Sequence, residues 1–210
     1  TEEQWNSLQI ESDNDEIIRS HLFFSDGERE FQKIGWYIED GTLFITGSGE
    51  MTDYMHFADY GSTAPWNHRR DEIKKIVVED GTTHIGSVAF GYCDHAEEII
   101  LPPSITSIGG GAFHTCTSIT ELRIPSGVRT LESAIVLCCY KLESIYIPKT
   151  VESINSWNFQ YCWELKNVYF QGTEQEWKTI EGSEYVHNNL QSSEDVNKYY
   201  ENNRHTWGEY

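Results

Sequence analysis

Cys93, Cys116, Cys139 and Cys162 each follow the one before by 23 residues. Thiols at a fixed interval can cross-link, bind a metal, act as nucleophiles or pack. In a stacked array, residues one interval apart lie about 4.8 Å apart with parallel Cβ directions, beyond the ~3.5–4.5 Å that a disulfide wants. Zinc needs four ligands converging on one point. His84, His95 and His114 occupy three different offsets within the interval, so no regular rule brings them to the thiols. "YCDH" at Tyr92 sets Cys93 two residues from His95. Cysteine catalysis requires a thiolate against an imidazole oriented by a third group, and Cys93 already belongs to the regular column. The expectation is therefore a buried structural column of small, weakly polar side chains, with no metal and no cofactor. Cys138 lies outside the column, on the opposite face, and is reactive only if exposed. "SDNDE" at Ser12 holds half the carboxylates of a calcium loop without its glycine or distal glutamate, and reads as a solvated acidic stretch.

The same interval governs the apolar residues, and self-similarity at a fixed period is the mark of a solenoid. Ile76, Ile99, Leu122, Ile145 and Val168 form one column, and Val78, Leu101, Ile124, Ile147 and Phe170 a second. Further columns are Ile85/Ile108/Leu131/Ile154 and Phe90/Phe113/Val136/Phe159. "LKNVYF", "LESIYI" and "ITELRI" give the strand half of a leucine-rich repeat, in which alternate residues point inward. Pro102, Pro125 and Pro148 follow at a constant offset and end each strand, because proline has no N–H for the ladder. One such unit cannot offset its own ordering entropy, so units must stack and the ends must be capped.

Four segments follow. Residues 1–32 form an acidic, weakly structured leader. Residues 33–72 form an N-terminal cap, in which Asp40-Gly41 between two alternating runs signals a β-hairpin. Residues 73–170 hold four 23-residue repeats plus a closing strand, and 171–210 a C-terminal cap and tail. The predicted fold is a leucine-rich repeat solenoid, an α/β-type repeat made mostly of strands and turns. It carries a parallel sheet on one face, an N-terminal β-hairpin cap and an irregular C-terminal cap.

Composition narrows function. The formal net charge is -19 over 210 residues, and a phosphate-binding protein needs a basic patch, so nucleic acid is excluded. No run approaches the ~18 apolar residues that span a bilayer, so no membrane insertion is expected. The chain opens "TEEQWNSLQI" without a signal-peptide pattern, which reads as a mature or truncated product. G-x-S-x-G, H-E-x-x-H and phosphate-loop motifs are absent from the sequence, which predicts no enzyme.

The outward side of the strands is the informative surface. Its central column reads Val77, Ile100, Arg123, Tyr146, Tyr169. Tyrosine and arginine concentrate binding energy at interfaces, and solenoids present such sheets as recognition surfaces. Cross-strand ladder packing explains the same residues without a ligand. Trp66 in "APWNH" reads as cap packing in preference to an exposed sugar platform.

"LPPSITSIGGGAFHTCTSITELRIP" resembles the BspA-type leucine-rich repeats of bacterial surface proteins, whose unit runs approximately I-P-x-x-V-x-x-I-G-x-x-A-F-x-x-C-x-x-L-x-x-I. "GTLFITGSGEM" and "VYFQGTEQEW" resemble their flanks, and the likeness spans residues 34 to 182. It departs at Glu132, Ile135 and Val136 in the third unit and at Asn155 and Asn158 in the fourth. The resemblance implies a secreted or surface-displayed bacterial protein engaged in adhesion, with no catalytic residue. The expected partner is a host or neighbouring-cell protein or glycan held on the sheet face, the oligomeric state being open. The alternative is a structural spacer in a larger surface protein.

Overall fold

The computed structural model describes residues 34–57, 61–184, 186 and 197–200. The leader and the "SDNDE" stretch lie outside these residues.

Strands β1 (Ile34–Glu39) and β2 (Thr42–Gly47) form the expected antiparallel hairpin. Asp40 and Gly41 take φ of 48° and 76° at its turn, the geometry for which Asp-Gly is suited. Short strands β3 (Gly49–Glu50), β4 (His56–Phe57) and β5 (Gly61–Ser62) follow, and a 3-10 turn at Asn67–Glu72 leads into the repeats. Each coil then contributes one strand to each of two faces. These are β6 (Lys75–Val78) and β7 (Thr82–Ile85), β8 (Glu98–Ile100) and β9 (Ser107–Ile108), β10 (Glu121–Arg123) and β11 (Thr130–Leu131), and β12 (Ser144–Ile147) and β13 (Ser153–Ile154). Strand β14 (Asn167–Phe170), helix α1 (Glu174–Trp177) and strand β15 (Asn197–Tyr200) close the chain.

On the principal face the strand order is β1-β2-β6-β8 and then β10-β12-β14-β15, parallel throughout except for the first pair. Registers advance by 23, as in Leu122↔Ile145↔Val168. The ladder is interrupted between β8 and β10, and the second face is interrupted at the same level, between β9 and β11. The column that would pair across this junction sets Glu98 against Glu121, and like charges directly opposite destabilise a ladder.

A third line of hydrogen bonds carries the stack through the break. Gly111, Phe113 and Thr115 donate N–H to the carbonyls of Ser133, Ile135 and Leu137. The turns that run there hold two left-handed residues in every coil, and the fourth coil adds Phe159 at φ 67°. Val88, Gly111, Ala134 and Trp157 have φ between 54° and 66°, and Tyr92, Thr115, Cys138 and Tyr161 between 61° and 66°. Only one of the eight is glycine, so the stacked hydrogen bonds hold these turns where local preference opposes them.

One apolar core runs the length of the stack. Phe90 and Phe113 stack with centroids 5.8 Å apart, and Trp66 stacks on Phe90 at 5.6 Å. Trp66 is buried, and its Nε1–H donates to the Ala89 carbonyl at 2.9 Å. Beside it the Ser62 hydroxyl donates to the Val88 carbonyl. The cap thus satisfies carbonyls that a preceding coil would satisfy. Gly86 is required by the close approach of the cap: a Cβ there would lie 1.8 Å from the Thr52 carbonyl oxygen.

At the C-terminal end the described residues are 171–184, 186 and 197–200. Thr173 and Glu176 form a reciprocal capping box on α1, a pattern present in "TEQE". Strand β15 then extends the parallel sheet on β14, although it falls 30 residues, not 23, after its partner: Phe170↔Tyr200.

Candidate functional site

The five sheet residues singled out by the column lie in one row, in two groups. Val77 pairs with Ile100 on β6 and β8, and Arg123 with Tyr146 and then Tyr169 on β10, β12 and β14. The sheet interruption separates the groups. The row also extends at both ends. Tyr37 stacks on Phe44 at 4.7 Å, Phe44 pairs with Val77, and Tyr199 stacks on Tyr169 at 4.7 Å. Phe44 and Tyr37 belong to the cap and Tyr199 is off the 23-residue frame, so the periodicity did not reach them.

Within the second group the side chains pack on one another. Tyr146 and Tyr169 stack with centroids 4.5 Å apart and planes 11° from parallel. The Arg123 guanidinium sits 3.7 Å from the Tyr146 ring centroid, while its Nε–H donates to Glu121 Oε1 at 2.7 Å. The arrangement is a continuous pile: Arg123, Tyr146, Tyr169, Tyr199. Cation–π contact and ring stacking fix the order of the pile, whose members are all half-buried. Ile100, at 39% exposure, is the most open aliphatic member of the row.

Cys93, Cys116, Cys139 and Cys162 are buried in the core with free thiols. The Sγ of Cys116, Cys139 and Cys162 donates to the carbonyl of Phe90, Phe113 and Val136 in the preceding coil, at 3.2, 3.3 and 3.0 Å. Burial pushes the Cys93 and Cys162 thiols up to about 12 and the other two well above the ordinary range. Such thiols remain protonated and inert at neutral pH. Cys138 is half-buried, and burial raises its thiol as well.

Three polar clusters escaped the sequence. Asp71, Asp94 and His95 bring ligating atoms within 4.8 Å of one another on the surface. Exposed carboxylates gather in this way without an ion. Asp53, His84 and Ser107 form a hydrogen-bonded chain: His84 Nδ1 meets Ser107 Oγ at 2.7 Å and His84 Nε2 meets Asp53 Oδ1 at 3.5 Å. This reverses the ring nitrogens of a serine-hydrolase triad. The shortest bond of Asp53 is to the Ser87 N–H at 2.6 Å, which also holds its carboxyl below the usual range. The chain clasps the cap loop to the first coils. His56, Tyr92 and His114 form an edge-to-face cluster with centroids 5.1–5.7 Å apart. Burial, then the charge of His56, lowers His114 to about 4.

Stacked parallel coils, an interior thiol column and an exterior aromatic row define a short leucine-rich repeat solenoid with a ladder-covered sheet. Residues 68–191 match six copies of the BspA type leucine rich repeat region. The chain belongs to this family. No curated protein matches it. Among solved structures, a leucine rich cell surface protein from Faecalibacterium prausnitzii A2-165 is 25% identical with a TM-score of 0.57, covering 68% of this chain and 35% of that one. A leucine rich repeat protein of T. pallidum is 20% identical with a TM-score of 0.51, covering 65% and 68%. A leucine-rich repeat protein from Eubacterium ventriosum ATCC 27560 is 23% identical with a TM-score of 0.49, covering 67% and 42%. The chain therefore spans less than half the length of two of these relatives. Among the described residues no helix is long and apolar enough to cross a membrane.

Proposed function

We propose that this chain is a non-enzymatic recognition module displayed outside a bacterial cell, binding a protein or glycan of a host or neighbouring cell through its sheet face. The observation that carries this reading is the outward row Tyr37, Phe44, Val77, Ile100, Arg123, Tyr146, Tyr169 and Tyr199, which is continuous in register on either side of the sheet interruption. Aromatic side chains and arginine on a rigid sheet offer contact area at a low entropic cost. The cell-surface description of the Faecalibacterium relative supports the location.

The test is a binding screen against matrix proteins and glycans, with a Tyr146→Ala/Tyr169→Ala variant whose fold is checked by circular dichroism. Recognition predicts a hit that the variant loses while its Tm stays within a few degrees. One observation favours a second reading, that of a structural spacer: the rings face one another in a pile, as ladder packing alone requires. A spacer predicts no ligand for either protein and a clear fall in Tm for the variant.

A further inference from the structure

Among the described residues six large apolar side chains are exposed, and apart from Met55 in the cap and Ile100 on the sheet they fall at one end of the stack. Trp157, Trp163, Tyr140 and Tyr161, at 61%, 57%, 37% and 36% exposure, all lie on the turns of the last two coils. Trp163 stacks on Tyr140 at 4.6 Å with planes 8° apart, and Tyr161 meets Trp163 edge-on at 6.3 Å. Trp157 is four residues before Tyr161 on the same turn, and both have left-handed backbone.

The solenoid itself does not ask for these rings. The position of Tyr140 and Trp163 is held by Asp94 and Thr117 in the first two coils, and that of Trp157 by Val88, Gly111 and Ala134. A residue needed for stacking would recur with the period. Trp157 takes φ 65° as Val88, Gly111 and Ala134 take left-handed φ at the equivalent position, so the coil sets the backbone sign and only the bulky, exposed indole is particular to the fourth coil.

We propose that Trp157, Tyr161, Trp163 and Tyr140 form a glycan-binding face, whose ligand is an uncharged oligosaccharide laying the C–H faces of its pyranose rings on the indoles. The site is separate from the sheet row and does not depend on it. Area and charge select the occupant. Aromatic side chains bury about 150–250 Å² each, so at these exposures the four offer roughly 400 Å². That is half of the ~800 Å² per partner of a standard protein interface or dimer, and it matches a few sugar rings. The charged residues flanking Tyr140 and Trp163 in sequence are Lys141, Glu143, Glu164 and Lys166, two of each sign, with Lys166 3.4 Å from Glu164 and 4.0 Å from Glu143. A balanced rim gives an anionic polymer nothing to hold, and the net charge of -19 repels it.

The experiment titrates the protein with cellohexaose, chitohexaose, xylohexaose and mannohexaose, following tryptophan fluorescence and calorimetric heat. Trp157→Gly, Trp163→Ala and Tyr146→Ala/Tyr169→Ala variants are run alongside. At least one oligosaccharide quenches or shifts the emission. Affinity falls by at least about fivefold in each tryptophan variant and is unchanged in the tyrosine variant. Trp157→Gly keeps or raises Tm, since glycine accepts the left-handed backbone, so its loss of binding cannot be loss of fold. The proposal is overturned if none of the four binds, if binding survives both tryptophan substitutions, or if the tyrosine variant alone abolishes it. Self-association of the wild type that the tryptophan variants abolish would overturn it in favour of a second copy as the occupant.

Discussion

The first two coils and the last two share an interior and differ outside and at the turns. In coils one and two the turns use Gly86, Gly109 and Gly111, and neighbours approach so closely that a Cβ on Gly109 would lie 2.4 Å from the Ser87 nitrogen. Coils three and four hold Glu132 and Asn155 at the equivalents of Gly86 and Gly109, with Asn155 Nδ2 donating to Glu132 Oε2 at 2.9 Å. The first pair is sealed by an aromatic cap, and the second displays its aromatic residues. A repeat thus constrains its inward columns and leaves turn and outward columns free to diverge.

The largest expected effect tests the sealed end. Trp66→Ala removes a buried ring and leaves the Ala89 carbonyl without its donor, which costs about 3–5 kcal/mol. Thermal denaturation should show a fall in Tm of roughly 10 °C. A change within experimental error would mean that the cap is not integral to the stack.

The divergent end is tested next by Asn158→Ala, which restores the alanine found at Ala89 and Ala112. Asn158 Oδ1 accepts the Ile135 N–H at 2.9 Å, and its Nδ2 donates to the Glu132 and Asn155 carbonyls. The substitution orphans those groups at a cost of about 1–3 kcal/mol. Urea titration should therefore show destabilisation even though the consensus residue has been installed.

A smaller effect belongs to the first pair of coils and depends on pH. His114 is lowered to about 4 in the folded protein, and its Nδ1 is buried without a partner. The unfolded chain takes up a proton near pH 6.5 that the folded chain refuses. Stability is therefore full above pH 6.5 and falls as pH drops from 6.5 towards 4. Its partial exposure keeps this to a few degrees of Tm. His114→Asn should flatten that part of the pH profile; an unchanged slope would place its origin elsewhere.

The least perturbing measurement compares the thiols. In native protein a neutral-pH maleimide should modify Cys138 slowly and leave Cys93, Cys116, Cys139 and Cys162 untouched until denaturant is added. Mass spectrometry of the digested protein reads the sites. Rapid labelling of Cys116 or Cys139 would contradict their burial.

Legibility in the sequence followed the same division between inside and outside. The inward columns recur every 23 residues because every coil meets the same neighbours, so Ile99, Leu122, Phe113 and their equivalents could be placed before any coordinates. The Asp40-Gly41 hairpin was equally clear, being a local matter of backbone sign. The cap tryptophan was legible in role, and its indole hydrogen bond was not. Tyr199 was hidden by a 30-residue step that breaks the frame, and the Trp163–Tyr140 pair by columns that change character midway.

The period alone determined that this chain is a parallel-stacked solenoid with a thiol column inside and an aromatic row outside. Stacking repeats one set of contacts, and repetition is visible in a linear code. Tertiary structure alone decided that the tyrosines lie ring on ring, that the ladder breaks between the second and third coils, and that Tyr140, Tyr161 and Trp163 meet on the last turns. These outcomes depend on side-chain directions and on pairs brought together once, from unequal positions, and no periodicity records a contact made once.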